Sequence, residues 1–344
     1  MDNKGISIQF NWIFVLIAGA VLFAFFIGIT LHQGAEAKKE RQFSSLNALE
    51  ASLTNVEQSV TNTKESFRTF KVVETELEVY CDEVNEIRVK DSDFSFPLTT
   101  SVVFSQKYLK PGKFDVWVSN WEVPYKVMPF MFVDDQTTQY LFPMEETNLQ
   151  GQLELLYESI SEEFSKKIIQ NHNDPLDSGY ENYVFVYLDW VPNYDIDTRS
   201  NFRAVNIKPA QDNTFEGGGI IDFYVKGEHN RLTLSETKPF LKRESVFGAI
   251  FAENADQYEC NMEKALKRLS WLTDFHIAKA ESLRIDADSL DSCNEIYYEN
   301  PIIYLNKINR TGFSENEFNE AQEDAIVLDQ LNKDLTKKSC PVIY

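Results

Sequence analysis

No charged residue stands between Lys4 and Glu36, and from Phe10 to Leu31 the chain is almost entirely apolar. A bilayer core of about 30 Å is spanned by roughly 20 apolar residues in a helix, so this run predicts a transmembrane helix over 10–33 behind a short tail, 1–9. Trp12 falls at one interface, and His32 and Gln33 at the other. The apolar run is longer than the roughly 7–15 residues of a cleaved signal, and Gly34-Ala35-Glu36-Ala37 makes a poor cleavage site, so a retained signal anchor is expected.

Leu46, Leu49, Leu53, Val56 and Val60 then follow a 3,4,3,4 spacing that Thr63, Phe67 and Phe70 continue. The pattern predicts a juxtamembrane helix over 34–69 with one narrow apolar stripe. Two coverings fit the stripe: a second copy, in a parallel coiled-coil homo-oligomer, or the chain's own globular part. From 70 to 145 the period shortens to two. Val73–Tyr80, Thr100–Phe104, Phe114–Ser119 and Gln139–Pro143 read as strands, with Lys110-Pro111-Gly112 as a turn, giving a β-rich region whose aromatics Trp117, Trp121, Tyr125, Phe130 and Phe132 are core candidates.

Over 146–344 the layout changes. Leu149, Leu153, Leu156, Ile160, Phe164 and Ile168 predict a helix over 147–170. Val184–Leu188, Ala204–Lys208, Gly219–Val225 and Val246–Ala252 read as buried strands. Helices follow over 255–282, with Trp271 or Leu272 and Phe275 on the inner side, and over 315–337. The expected fold is therefore α+β or α/β: the transmembrane and juxtamembrane helices, the β-rich region, then an α/β layer sandwich with a mixed sheet.

Charge narrows the function. The chain of 344 residues carries a net −21, all of it outside the apolar segment, which argues against nucleic acid as a partner and suits a soluble head tethered to a lipid bilayer. The four cysteines, Cys81, Cys260, Cys293 and Cys340, show no metal-ligand spacing and suit disulfides; the expected pairs are Cys260–Cys293 and Cys81–Cys340. Asn309-Arg310-Thr311 is a glycosylation sequon, with Asn309 the acceptor. Lys38, Lys39 and Arg41 after the apolar run favour a cytoplasmic head by the positive-inside rule, but the cysteines and the sequon favour an extracytoplasmic one, which is the expectation adopted.

The start Gln9-Phe-Asn-Trp-Ile-Phe-Val-Leu-Ile-Ala-Gly19, together with Trp121–Tyr125, Gly248–Ala252 and Cys340-Pro-Val-Ile-Tyr344, resembles a family of uncharacterised archaeal single-pass membrane proteins. Lys4-Gly5 before the apolar run also resembles, over the first thirty or so residues, the processing site of archaeal type IV pilin-like proteins, with Phe10 where pilins commonly carry Glu. These resemblances imply a signal-anchored envelope protein and, as a second reading, a pilin-like or filament-associated subunit.

The common nucleophile, zinc and phosphate-loop signatures do not occur, so no cofactor or metal is implied. Glu216-Gly217-Gly218-Gly219 leads into a strand, the reverse of a phosphate cradle. Asp286, Asp288 and Asp291 alternate as calcium ligands do, without the rest of the loop. His32, His172, His229 and His276 are scattered. The leading expectation is a non-catalytic head for contact with other envelope proteins. Its rival is a membrane-tethered enzyme using Asp189, Glu216 or Asp222 near the ends of central strands, where open α/β sheets hold ligands.

Overall fold

The computed structural model describes residues 4–59, 65–72, 75–144, 150–170, 174, 176–191, 196, 200–210, 215–287, 293–310 and 312–344. Val60, Thr63, Leu149, His172, Asp288, Asp291 and Thr311, and the side chain of Val56, lie outside what it describes. The protein is a mixed α/β structure with one long apolar helix near its start.

That helix, α1 (Lys4–Ser59), runs unbroken from the apolar segment into the globular part. Its stripe is covered by the chain itself. Leu46, Leu49 and Leu53 are buried in a cluster with Leu77, Val79, Ile87 and Val89 of a β-meander and Val116, Val118 and Met131 of a second sheet. The helix also ends sooner than the spacing predicts. Residues Glu65–Val72 form β1, an edge strand pairing antiparallel with β7 (Gly112–Glu122), Phe67 opposite Trp117. Phe67 and Phe70 thus match the heptad by coincidence of a three-residue gap, and the backbone bonds offered by β7 decide the outcome.

Three sheets follow. The meander, in order β4-β3-β2-β6, consists of β2 (Leu77–Cys81), β3 (Asn85–Val89), β4 (Ser95–Leu98) and β6 (Tyr108–Leu109). The second sheet, β1-β7-β8-β5, adds β5 (Val102–Ser105) and β8 (Lys126–Asp134). Both its faces are covered: Val116, Val118 and Met131 face α1 and the meander, while Trp117, Trp121, Phe130 and Phe132 enter the main core. The aromatics expected in the core are there.

The third sheet has six strands in order β10-β9-β11-β12-β13-β14: β9 (Thr138–Pro143), β10 (Lys166–Ile169), β11 (Asn182–Leu188), β12 (Asn201–Pro209), β13 (Gly218–Lys226) and β14 (Leu232–Leu241). Its first four strands are parallel and its last two pairings antiparallel, so the sheet is mixed, as expected. β9 belongs here and not to the β-rich region before it. The helix expected over 147–170 is shorter, α2 (Gln150–Ser159), because Lys166–Ile169 add an edge strand beside β9.

Val246–Ala252, expected as a strand, instead forms all but the first turn of α3 (Arg243–Phe251) and, with Ala252, its C-cap; every residue of α3 from Ser245 on is buried. A continuous apolar run fits a buried helix as well as a buried strand. Here the helix lies where the two larger sheets meet, so close that a Cβ on Gly248 would come within 2.8 Å of the Phe104 ring. α4 (Ala255–Asp286), α5 (Ile296–Ile308) and α6 (Glu315–Lys337) complete the fold. Asn254 caps α4 and Ser314 caps α6, each side chain accepting from a backbone N–H three residues on. α4 buries Tyr258, Met262, Ala265 and Leu269; of the alternatives Trp271 and Leu272, Leu272 packs against the core and Trp271 is 71% exposed, and Phe275, expected inside, is 63% exposed.

The cysteines pair as Cys81–Cys260 and Cys293–Cys340, which replaces the expected pairing. The reason is helix length. Cys260 lies near the start of α4, which continues to Asp286, about 39 Å away at 1.5 Å per residue. The seven residues from there to Cys293 reach at most about 25 Å, too short to return. Cys293 meets the C-terminal tail after α6 instead.

Candidate functional site

The chain turns sharply between β14 and α3. Lys242 has φ 73° and ψ 156°, a conformation otherwise nearly confined to glycine, costing about 1–3 kcal/mol. Neighbouring bonds hold it there. Its N–H donates to the Gly217 carbonyl at 2.8 Å, the Trp121 indole N–H donates to the Leu241 carbonyl at 2.8 Å, and the buried Ser245 hydroxyl accepts from the Leu241 N–H at 2.9 Å.

This turn forms one wall of an open cleft of about 460 Å³, closed on the other sides by Glu65 of β1, Glu122 at the end of β7, Glu216 and Asp329 of α6. Arg243 lies within: its Nε is 3.6 Å from a Glu216 carboxylate oxygen, and a terminal nitrogen donates to the Ser159 hydroxyl at 3.4 Å. Burial pushes the Glu244 carboxyl up to about 7, with its own backbone N–H opposing, and burial also lowers the Lys242 amine. The cleft is polar and predominantly acidic.

A second polar group is closed to solvent. Asp115, Asp134 and Asp135 are all buried where β8 passes into β9. Asp115 accepts from Thr69 and Gln136, each at 2.6 Å; Asp135 accepts from the Lys110 backbone N–H at 2.7 Å and the Thr137 hydroxyl at 2.6 Å. Asp134 accepts from the Gln136 N–H at 3.1 Å, and burial, then repulsion from Asp135, pushes its carboxyl up to about 8. Burial lowers the nearby Arg203 guanidinium to about 10, and one of its nitrogens donates to the Ile250 carbonyl.

The structure does not assemble the sequence candidates. Glu216 lines the cleft. Asp189 is exposed after β11 with φ 58°. Asp222 is buried in β13, 2.6 Å from Lys208 and accepting from Thr237 at 2.7 Å, a structural ion pair. Within the glycine cluster Gly219 serves close packing, since a Cβ there would lie 2.4 Å from the Lys208 carbonyl oxygen, whereas Gly217 faces open space. His276 packs with its ring tilted against Tyr125, centroids 4.4 Å apart, and donates from Nδ1 to the Ile343 carbonyl at 3.2 Å, a packing role. Asn309 accepts from Ser270 and donates to Asp274, each at 2.7 Å. Among the described residues no group of His, Cys, Asp and Glu has the arrangement of a metal site. Lys242, Arg243 and Glu244 escaped the sequence reading because the next apolar run was taken as a strand; as the first turn of a helix the same tripeptide carries a recognisable acidic start.

No protein-family model, no curated protein and no solved structure matches this chain.

Proposed function

We propose that this protein is a single-pass membrane-anchored envelope protein whose acidic, disulfide-stapled head acts by binding other proteins and not by catalysis. The observation that carries the reading is α1. Among its described residues the apolar half is largely exposed, with Trp12, Leu16, Phe23, Phe26 and Leu31 each at least 62% accessible, while Leu46, Leu49 and Leu53 of the same helix are buried in the head. Exposed apolar surface of this length requires a non-aqueous surround, and a bilayer supplies it. The continuous helix would then hold the head about 22 Å beyond Leu31, at 1.5 Å per residue to Leu46.

Two disulfides support an oxidising compartment and hence an extracytoplasmic head. The dispersal of Asp189, Glu216 and Asp222 supports binding over catalysis. An enzyme of the rival kind needs two or more carboxyls of raised pKa converging in a cleft, and only Glu244 meets that description in this one. Labelling intact cells with a membrane-impermeant amine reagent tests the topology, and alkaline carbonate extraction tests the anchor. Head lysines labelled before lysis, on protein retained in the pellet, are expected. Labelling only after lysis would overturn the outward orientation, and release by carbonate would overturn the anchor.

A further inference from the structure

One of the two disulfides has a cation aimed at one of its sulfurs. Cys81 ends β2 and Cys260 lies in the second turn of α4, and both are half-buried, so a small solute can reach the bond. The Lys264 amine, one helical turn beyond Cys260, donates to the Cys81 sulfur at 3.2 Å and to the Asn85 side-chain oxygen at 2.8 Å. A buried pair holds it there. Asn85 is 2% exposed and donates to the Asn261 side-chain oxygen at 2.9 Å. Asn261, fully buried, donates in turn to the Val103 carbonyl at 2.7 Å and the Gln257 carbonyl at 3.0 Å. The amine is thus positioned by groups whose own bonds run into the core.

A disulfide sulfur is a weak acceptor and a thiolate a strong one, so this contact gains most once the bond has opened. Exchange proceeds by attack of a thiolate on one sulfur while the other leaves as a thiolate, and it is faster the lower the pKa of the leaving thiol. An ammonium beside a cysteine lowers that pKa. Burial lowers the Lys264 amine to about 8, with the Asp82 carboxylate opposing, so at pH 7 it is still mostly protonated.

The other charges near the bond do not outweigh it. Asp82 and Glu83 follow Cys81, and Glu263 stands one turn from Cys260; all three are exposed and screened by solvent, as is Lys267. Glu259, beside Cys260, is 2.6 Å from the Lys238 amine. The Lys264 amine is half-buried and in contact with a sulfur, and that sulfur is Cys81.

We infer that Cys81–Cys260 is a thiol–disulfide exchange site: an incoming thiolate attacks the Cys260 sulfur, and Cys81 leaves as a thiolate held by Lys264. A bond forms between the incoming sulfur and Cys260, the Cys81–Cys260 bond breaks with its electron pair on Cys81, and the proton of the incoming thiol goes to solvent. The substrate class is a thiol, on a small molecule or a protein. Opening the bond also unlinks α4 from the meander on which α1 packs. Cys293–Cys340 is the slower bond, because Cys340 is 5% exposed and a buried thiolate is a poor leaving group. The inference rests on the Lys264 contact and stands whether or not α1 spans a membrane.

Exchange kinetics of the full-length protein in detergent at pH 7 test it, with β-mercaptoethanol, an uncharged monothiol, as the probe. Samples are quenched with acid, free thiols are blocked with N-ethylmaleimide, and the group on each sulfur is read by mass spectrometry. The mercaptoethanol adduct is expected on Cys260 and the maleimide on Cys81, at a rate about tenfold or more above that of Cys293–Cys340. We take the Cys81 thiol to fall by about one to two pKa units beside Lys264, and the leaving thiol to respond as steeply as an attacking one, about 0.4–0.5 per unit. Lys264→Gln should then slow the exchange about three- to tenfold, while Lys264→Arg, which keeps the charge, stays within about twofold of the native rate. An adduct on Cys81 in place of Cys260, or both bridges opening at one rate, would overturn the proposal. So would Lys264→Gln exchanging as fast as the native protein or faster, or Lys264→Arg as slowly as Lys264→Gln.

Discussion

Asp134→Asn should stabilise this protein, and by an amount that depends on pH. Asp134 is 1% exposed at the end of β8, and its carboxyl is pushed from 3.8 to about 8 by burial and by the neighbouring Asp135 and Asp115. A raised carboxyl binds its proton more tightly in the folded state. Below pH 3.8 both states are protonated and the group costs nothing. As pH rises through 3.8 the unfolded chain ionises while the folded chain does not, so stability falls with pH until the folded group ionises near 8. At about 1.36 kcal/mol per pH unit, the interval from 3.8 to pH 7 amounts to a cost on the order of 4 kcal/mol. Asparagine removes the ionisation and retains an oxygen for the Gln136 N–H, now accepted at 3.1 Å. Urea titrations of the full chain in detergent, followed by the fluorescence of the buried Trp117 and Trp121, should therefore show the variant and the native protein equal near pH 4. They should diverge by about 2–4 kcal/mol at pH 7, with the variant more stable. Carboxyls that do not interact with Asp134 titrate alike in both proteins and cancel in the difference. A difference that stays constant from pH 4 to pH 8 would refute the argument.

Leu53→Ala should destabilise the head by about 2–5 kcal/mol in the same assay, since Leu53 is 1% exposed inside its cluster; unchanged stability together with a lost oligomer would show the α1 stripe packing between chains instead. Peptide mapping without reduction should recover Cys81 joined to Cys260 and Cys293 joined to Cys340. With sequence separations of 179 and 47, loop entropy assigns them roughly 5 and 4 kcal/mol, so reduction should lower the unfolding midpoint markedly, and an unchanged midpoint would remove them as structural bonds. Gly219→Ala should cost about 1–3 kcal/mol or more, because the new Cβ would meet the Lys208 carbonyl oxygen at 2.4 Å; a neutral result in thermal unfolding would show that the β12–β13 pair can part there.

The acidic cleft and the exposed aromatics of α4 were not legible in the residues, for different reasons. Lys242, Arg243 and Glu244 meet Glu65, Glu122 and Asp329 from four separate elements, a convergence that no local pattern encodes. Phe275, and Trp271 as the alternative to Leu272, were read as interior from their spacing along the helix, whereas α4 fills its inner face with Tyr258, Met262, Ala265 and Leu269, and Leu272 takes the place beside them. Asp222 sits in a strand as expected, but its partner Lys208, 14 positions earlier in sequence, comes beside it only through the β12–β13 pairing.

What the sequence determined alone are the features carried by local period and charge. An uncharged apolar run makes a helix long and apolar enough to cross a membrane; alternation from Phe114 to Ser119 makes a strand; Glu315 to Lys337, capped by Ser314 and spaced for one face, makes a helix with the bounds expected. Tertiary structure decided wherever one pattern had two possible partners. The Leu46–Leu53 stripe would pack equally well on a copy or on the meander; Val246–Ala252 could bury itself as strand or helix; four cysteines allow three pairings until the 32 residues of α4 set how far apart they stand. Hydrophobic burial is non-directional, so a stripe specifies that it must be covered, and only the assembled fold specifies by what.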